Sequence, residues 1–280
     1  MEVIVRDLTR HEIALWIWMC GGAEHLKKVL KRTPTPPGWN CIKHPQVTWG
    51  QGESLLNMCG SDRDSILQGE KKLSDVISTN LLLQMVEQLR FYQEVFDLSV
   101  EIEDIIIPEQ GDGYNWILLV PKGITHDIVW KKCKTMFKTE LRDLDENNMD
   151  EELTYYNQRD PNRDGTYLIR LRDGVEPERD LWHYMTWKIN EEKIPVVTFL
   201  EGLLLHLWYH WKSGEHLDTK NWTFCSGTMT HSCGNAMRVT FRGRGNKLRT
   251  ESHQDGYQKK DYRPRRVTTS IPVPDRPKMG

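Results

Sequence analysis

No run of apolar residues in this chain approaches the ~20 needed to span a bilayer. The longest, "IALWIWMC" and "LLLHLWYHW", are short and interrupted by polar groups, so no membrane span is expected. The first residues place Glu2, Arg6 and Asp7 where a secretory leader needs a clean apolar core, which points to a protein made and kept inside a cell. Cysteine is sparse as well, six in 280 residues with none in a Cys-x-x-Cys pair. Outside a secretory context such thiols are expected to stay reduced and to pack as small apolar groups. A structural zinc needs four ligands, and neither Cys225 and Cys233 nor Cys41 with His44 has a second knuckle.

The usual signatures of catalysis are also missing. "GRGNK" and "PKGITH" lack the eight-residue spacing of a phosphate loop, and no Gly-x-Ser-x-Gly elbow occurs. Paired carboxylates amount to no more than a generic acidic stretch. His206 and His210 stand at i, i+4, a spacing that can share one zinc, but Leu207 occupies the position where a zincin carries Glu. An aromatic core with Trp208, Tyr209 and Trp211 accounts for both rings. An enzyme is therefore the least supported class, and no catalytic residue, cofactor or metal is expected.

What the chain does contain is a globular composition. Hydrophobic residues make up 38%, charged residues 28%, and there are eleven tryptophans. This excludes wholesale disorder and the collagen-like and coiled-coil classes, and 280 residues suit two domains of ordinary size. Net charge is −2, yet residues 238–266 hold ten Lys/Arg against three Asp/Glu, a local +7. An acidic chain with a basic end can steer a polyanion to one face, or dock its two parts on each other.

Periodicity places the elements. "DLTRHEIALWIWMCGGAEHLKKVLKR" predicts helix, with Thr9 and Glu12 as a capping candidate, and the prolines of "TPTPPGWN" stop it. A second helix is expected across "DVISTNLLLQMVEQLRFYQEVFDL", a hairpin from Ile105–Ile107 and Trp116–Val120 around Gly111-Asp112-Gly113, and a helix capped by Thr125. The acidic 146–165 reads as a linker, or as a helix followed by a turn, at the domain boundary, and "GTYLIRLRDGVEP" as a strand. "PVVTFLEGLLLHLWYHWKSG" is the clearest helix, with Thr198 and Glu201 as a capping box and Gly214 near its end. Its Phe199, Leu203, Leu207 and Trp211 should face the C-terminal core, and Leu200, Leu204 and Trp208 a second layer. The expected class is α+β: a mainly helical N-terminal region with a small sheet (1–145), the linker, an α+β domain (166–270) and a flexible tail (271–280).

From Asp160 onward, "DGTYLIRLRDGVEPERDL", the Thr198 helix, "NWTFCSG", "MRVTF" and "DYRPRRVTTS" together resemble the C-terminal half of uncharacterised phage and bacterial proteins. Those end in a C-type-lectin-like domain, related in outline to the formylglycine-generating-enzyme fold and in some relatives diversified by retroelements. The resemblance implies scaffold strands at Trp222 to Gly227 and Met237 to Phe241, a close at Tyr262-Arg263-Pro264, and display segments at 226–236 and 242–261. It also implies a cytoplasmic or phage-particle location.

Where relatives carry Trp and Asp, this chain carries Arg242, Arg244, Lys247 and Arg249. With His253, Tyr257, Lys259 and Lys260 these form the expected ligand-binding set, for an acidic protein surface or other polyanion. The alternative is a nucleic-acid-binding protein of phage–host conflict using 238–266, with Phe241, Tyr257 and Tyr262 as interleaved stacking rings. Because neither cysteine set completes four ligands, the purified protein should carry less than one zinc per chain by elemental analysis, and chelation should leave its unfolding transition unmoved.

Overall fold

The computed structural model describes residues 79–100, 105–153, 156–184, 186–231, 234–242, 245–254 and 260–275. The expected opening helix, the proline break, Cys20, Cys41, His44, Cys59, Cys233 and the last five residues lie outside these. Two compact units divide the chain, Met1–Ile105 and Ile106–Gly280.

In the first unit, α1 (Thr79–Phe91) carries Met85 and Leu89 fully buried, as the 3.6 period requires. It runs on into a π-helical turn, Tyr92–Phe96, that stops at Asp97 in the left-handed region (φ 53°). Phe91, Tyr92 and Phe96 meet with ring centroids 5.0–5.6 Å apart, and burial drives the Tyr92 phenol well above its ordinary pKa.

The second unit is α+β. In chain order it comprises β1 (Trp116–Val120), α2 (His126–Met136), β2 (Lys138–Leu141), α3 (Met149–Glu152), β3 (Tyr156–Asn157), α4 (Pro161–Asp164), β4 (Tyr167–Leu171), α5 (Thr186–Glu191), α6 (Phe199–Ser213), β5 (Trp222–Met229), β6 (Ala236–Thr240), β7 (Lys247–His253), β8 (Tyr262–Arg263) and β9 (Val267–Thr269). Three strands form one sheet in the order β1-β4-β9. Six form another, β2-β7-β6-β5-β3, with β8 along β5. Among the described residues no helix is long and apolar enough to cross a membrane.

The expected hairpin does not form. β1 pairs antiparallel with β4, Leu118 opposite Ile169. Residues 105–110 stay irregular because their carbonyls are taken by side chains: Arg170 Nε donates to Pro108 O and Thr268 Oγ1 to Glu109 O, and Pro108 has no N–H to give a ladder. The stretch 146–165 belongs to the second unit rather than linking two. It holds α3, β3 and α4, and its Arg159 is 1% exposed.

Helix α6 is the axis of this unit. Its start has both halves of the capping box: Glu201 N–H donates to Thr198 Oγ1, and Thr198 N–H to the Glu201 carboxylate. It ends on Gly214 at φ 73°. Every residue from Phe199 to Trp208 is buried, the mark of a helix covered on all sides. Toward the large sheet, Gly202 faces Cys225 and Val239. Toward the small sheet, Trp208 meets Trp116 edge to face at 5.6 Å. Trp211 is only half-buried, so the fully buried indole of this helix is Trp208.

A second polar knot holds the far part of α6. Asp218, in the left-handed region at φ 54° and 1% exposed, accepts from Thr223 Oγ1 (2.6 Å) and Arg265 Nη2 (2.5 Å). It also meets His206 Nε2 at 3.1 Å, so that nitrogen is engaged by a carboxylate. Burial pushes the Asp218 pKa up, but the Arg265 charge and the bonds from His206 and Thr223 outweigh it and hold the carboxyl low. Cys225 is a buried free thiol, its pKa driven up chiefly by burial.

Close approach makes a sharp test. A Cβ at Gly202 would sit 2.9 Å from Cys225 Sγ, and one at Gly227 2.9 Å from Val196 O. Gly202→Ala should cost about 1–3 kcal/mol by overpacking in urea denaturation. Gly227→Ala should cost at least as much, since backbone yields less readily than a side chain.

Candidate functional site

Residues opposite each other on paired strands share a sheet face. The register sets Phe224 against Arg238, Arg238 against Glu251, Thr240 against Arg249, and, on the parallel β2–β7 pair, Glu140 against Arg249 and Lys138 against Lys247. Trp222 stands beside Tyr262. One face of the large sheet therefore carries Lys138, Glu140, Trp222, Phe224, Arg238, Lys247, Arg249, Glu251, His253 and Tyr262. The other carries Thr223, Cys225, Met237, Val239, Leu248 and Thr250, all buried; through Cys225 and Val239 it packs on α6.

Cations on the outer face are laced to carboxylates. Glu140 gathers Arg142 at 2.5 Å, Arg249 at 3.5 Å and Lys247 at 3.6 Å. Desolvation raises the Glu140 pKa, but the hydrogen bond from Arg142 and the charges of Arg249, Arg142 and Lys247 win and hold it below the usual range. Glu251 pairs with Arg238 and lies 3.9 Å from Arg142. Arg242 bonds Asp261 at 2.7 Å and the Lys220 carbonyl at 2.9 Å. The cations nonetheless reach solvent: the side chains of Arg142, Arg242 and Lys247 are 61%, 45% and 39% exposed.

At the other end of the face the aromatic residues fold inward. The Arg238 guanidinium lies 4.0 Å from the Tyr262 ring centroid and 4.6 Å from that of Trp222, a cation–π clamp. His253 meets Tyr262 edge to face at 4.7 Å and Phe224 at 6.1 Å. Phe224 and Tyr262 are buried. Phe241 is also buried, its ring stacked on His216 at 3.5 Å, so neither it nor Tyr262 offers an open stacking platform.

Of the expected ligand-binding set, Arg242, Lys247, Arg249 and His253 come together on this face, with Val239 and Phe241 buried between them as alternation demands. Lys260 is exposed in the turn before β8. Arg244, Tyr257 and Lys259 lie outside the described residues. Comparison of the chain with family models, curated proteins and solved structures finds no match. The site therefore rests on its own geometry.

Lys138, Glu140 and Arg142 were not part of the expected set. They reach the face because β2 pairs in parallel with β7 across more than a hundred residues, a contact that leaves no local pattern.

Glu140 is exposed enough that its pairs stabilise only weakly. Its depressed pKa contributes stability that is present above the ordinary carboxyl pKa of 4.5 and lost as pH falls through the folded value. Glu140→Gln should cost less than about 1 kcal/mol near neutral pH. The difference from the parent protein in urea midpoints should vanish in acid and shrink in about 1 M salt.

Proposed function

We propose that this chain is a non-enzymatic binding protein that presents the outer face of its large sheet to an acidic protein surface or another polyanion. The carrying observation is the imbalance on that face. Lys138, Arg142, Arg238, Arg242, Lys247 and Arg249 stand against Glu140, Glu251 and Asp261, with the cations of the β2–β7 pair and Arg242 open to solvent. The C-type-lectin-like reading of the C-terminal half belongs to the same proposal. It is supported by a capped helix ahead of the β5–β8 strands.

Of the two expected partners, the acidic surface is favoured over single-stranded nucleic acid. Stacking contributes ~1–3 kcal/mol per base on open rings, and here Phe224, Phe241 and Tyr262 are buried. Among the described rings of the face Trp222 is half-buried and lies against the Arg238 guanidinium at 4.6 Å, so what these residues chiefly offer is charge.

The test uses the full chain with poly-glutamate and a single-stranded oligonucleotide as probes. Replacing Arg242, Lys247 and Arg249 together by Gln should leave the unfolding transition nearly in place, since each pair contributes under about 1 kcal/mol. It should weaken poly-glutamate binding about tenfold or more at low salt, where screening is least. Glu140→Gln should strengthen binding, because it releases three cations from an internal competitor. Undiminished binding by the triple variant would overturn the proposal. Tighter binding of the oligonucleotide, with a steep loss on adding salt, would replace the partner by nucleic acid.

A further inference from the structure

The sheet that carries the basic face ends at β2, and the ladder there shows which backbone groups remain unspent. Arg142 N–H donates to the Thr250 carbonyl at 2.9 Å, while Leu141 stands opposite Thr250 and Thr139 opposite Leu248. In a parallel ladder alternate residues of a strand bond to the same neighbour. Lys138, Glu140 and Arg142 therefore give their backbone groups to β7, and Thr139 and Leu141 turn theirs outward. Among the described residues no further strand, cap or side chain takes the N–H or C=O of either, and both residues are only half-buried. Backbone groups left without a partner belong where water or another chain can reach them.

The far end of the sheet offers no such template, since β3 is two residues long and both are buried. We infer that β2 accepts an extended acidic segment of a partner protein as an added strand, its carboxylates at alternate positions on the basic face and its apolar residues beside Leu141. This rests on the acidic-partner reading above, and it states how that partner is held.

Charge selects the occupant. Lys138 and Glu140 share the outer face with Lys247 and Arg249, and the Arg142 side chain beyond them is 61% exposed. An added strand lies ~4.7–4.9 Å away, so its outer side chains stand directly across from Lys138 and Arg142. Main-chain bonds then supply affinity, and the alternate side chains supply selectivity. Lys138 and the four-residue length of β2 deter indiscriminate pairing at an open edge. An acidic strand turns the charged part of that deterrent into attraction.

A second copy of this chain fits the edge less well. The antiparallel register that bonds both outward residues sets Thr139 of one copy opposite Leu141 of the other. It also sets Lys138 opposite Arg142 and Glu140 opposite Glu140. Like charges directly opposite are destabilising.

The experiment adds the peptide acetyl-Glu-Val-Glu-Val-Glu-amide to the full chain at low salt, reads affinity by calorimetry and follows amide hydrogen exchange at Thr139 and Leu141. A second peptide of the same sequence, N-methylated at every residue, keeps the charge and loses the strand's donors. The first peptide should slow exchange of both amides about tenfold or more, and the second should bind about tenfold weaker for the lost hydrogen bonds and leave the amides fast. Equal binding of the two peptides, or binding of the first with both amides still fast, would overturn strand addition and leave the basic face standing. A failure of both peptides to bind would remove the acidic-partner reading itself, and this inference with it; so would undiminished binding of the first to the Arg242, Lys247 and Arg249 to Gln variant. Slow exchange of the two amides in the free chain, together with the mass of a dimer, would assign the edge to a second copy and overturn the inference as well.

Discussion

The second unit turns on one carboxylate. Glu201 is fully buried and accepts four hydrogen bonds: two from Arg159, one from the Tyr167 hydroxyl at 3.0 Å and one from Thr198 N–H at 2.8 Å. Through them a single side chain joins the first turn of α6 to β4 of the small sheet and to the segment after β3. A buried pair of this kind contributes little net stability against an apolar replacement, but removal of one partner leaves an unpaired charge that costs about 3–5 kcal/mol. It therefore specifies arrangement more than it adds stability. Burial and Tyr167's neighbouring Glu201 also push the Tyr167 phenol well above its ordinary pKa, which keeps it neutral as a donor.

The two most deeply buried of the described arginines, Arg159 and Arg265, are held differently. Arg265 uses every nitrogen, with Nε on Thr223 Oγ1, Nη1 on Gly174 O and Nη2 on Val175 O and Asp218. It locks the turn after α6 to the loop after β4. Arg159 is equally buried and equally paired to a carboxylate, yet its Nη1 has no partner among the described residues.

On the sheet face the balance differs, because the charges there face water. Each cation that meets an external anion must first loosen its hold on Glu140, Glu251 or Asp261. The proposed binding would then exchange one weak pair for another, with a gain from the excess of cations over carboxylates and from the number engaged together. The buried aromatic end of the face contributes rigidity: Arg238 is clamped between two rings and cannot swing out as a free side chain would.

Thr198 and Glu201, three residues apart ahead of an apolar run, announced α6, its cap and its Gly214 stop, because capping chemistry is local and needs only near neighbours in the chain. The strand at 167–171, the Thr125 cap and the alternation of Val239 and Phe241 with Arg242 were legible for the same reason. The sequence also placed Arg242, Lys247, Arg249 and His253 among candidate binding residues, from the basic segment and the display region that the resemblance implies.

Tertiary structure decided the rest. Pairing of β1 with β4 overrode a plausible hairpin, and the buried Arg159–Glu201 bond drew an acidic, linker-like stretch into the core. Only the parallel β2–β7 ladder brings Glu140 and Arg142 beside the basic strand, and only the packing of α2 against α6 lays the His126 ring along Phe199. Such contacts span tens to more than a hundred residues, and their energy lies in burial and in hydrogen bonds that do not exist until the chain has closed on itself. The chain's own order could name the basic residues of the sheet face, but not the partners that bury Arg159, Glu201 and Asp218.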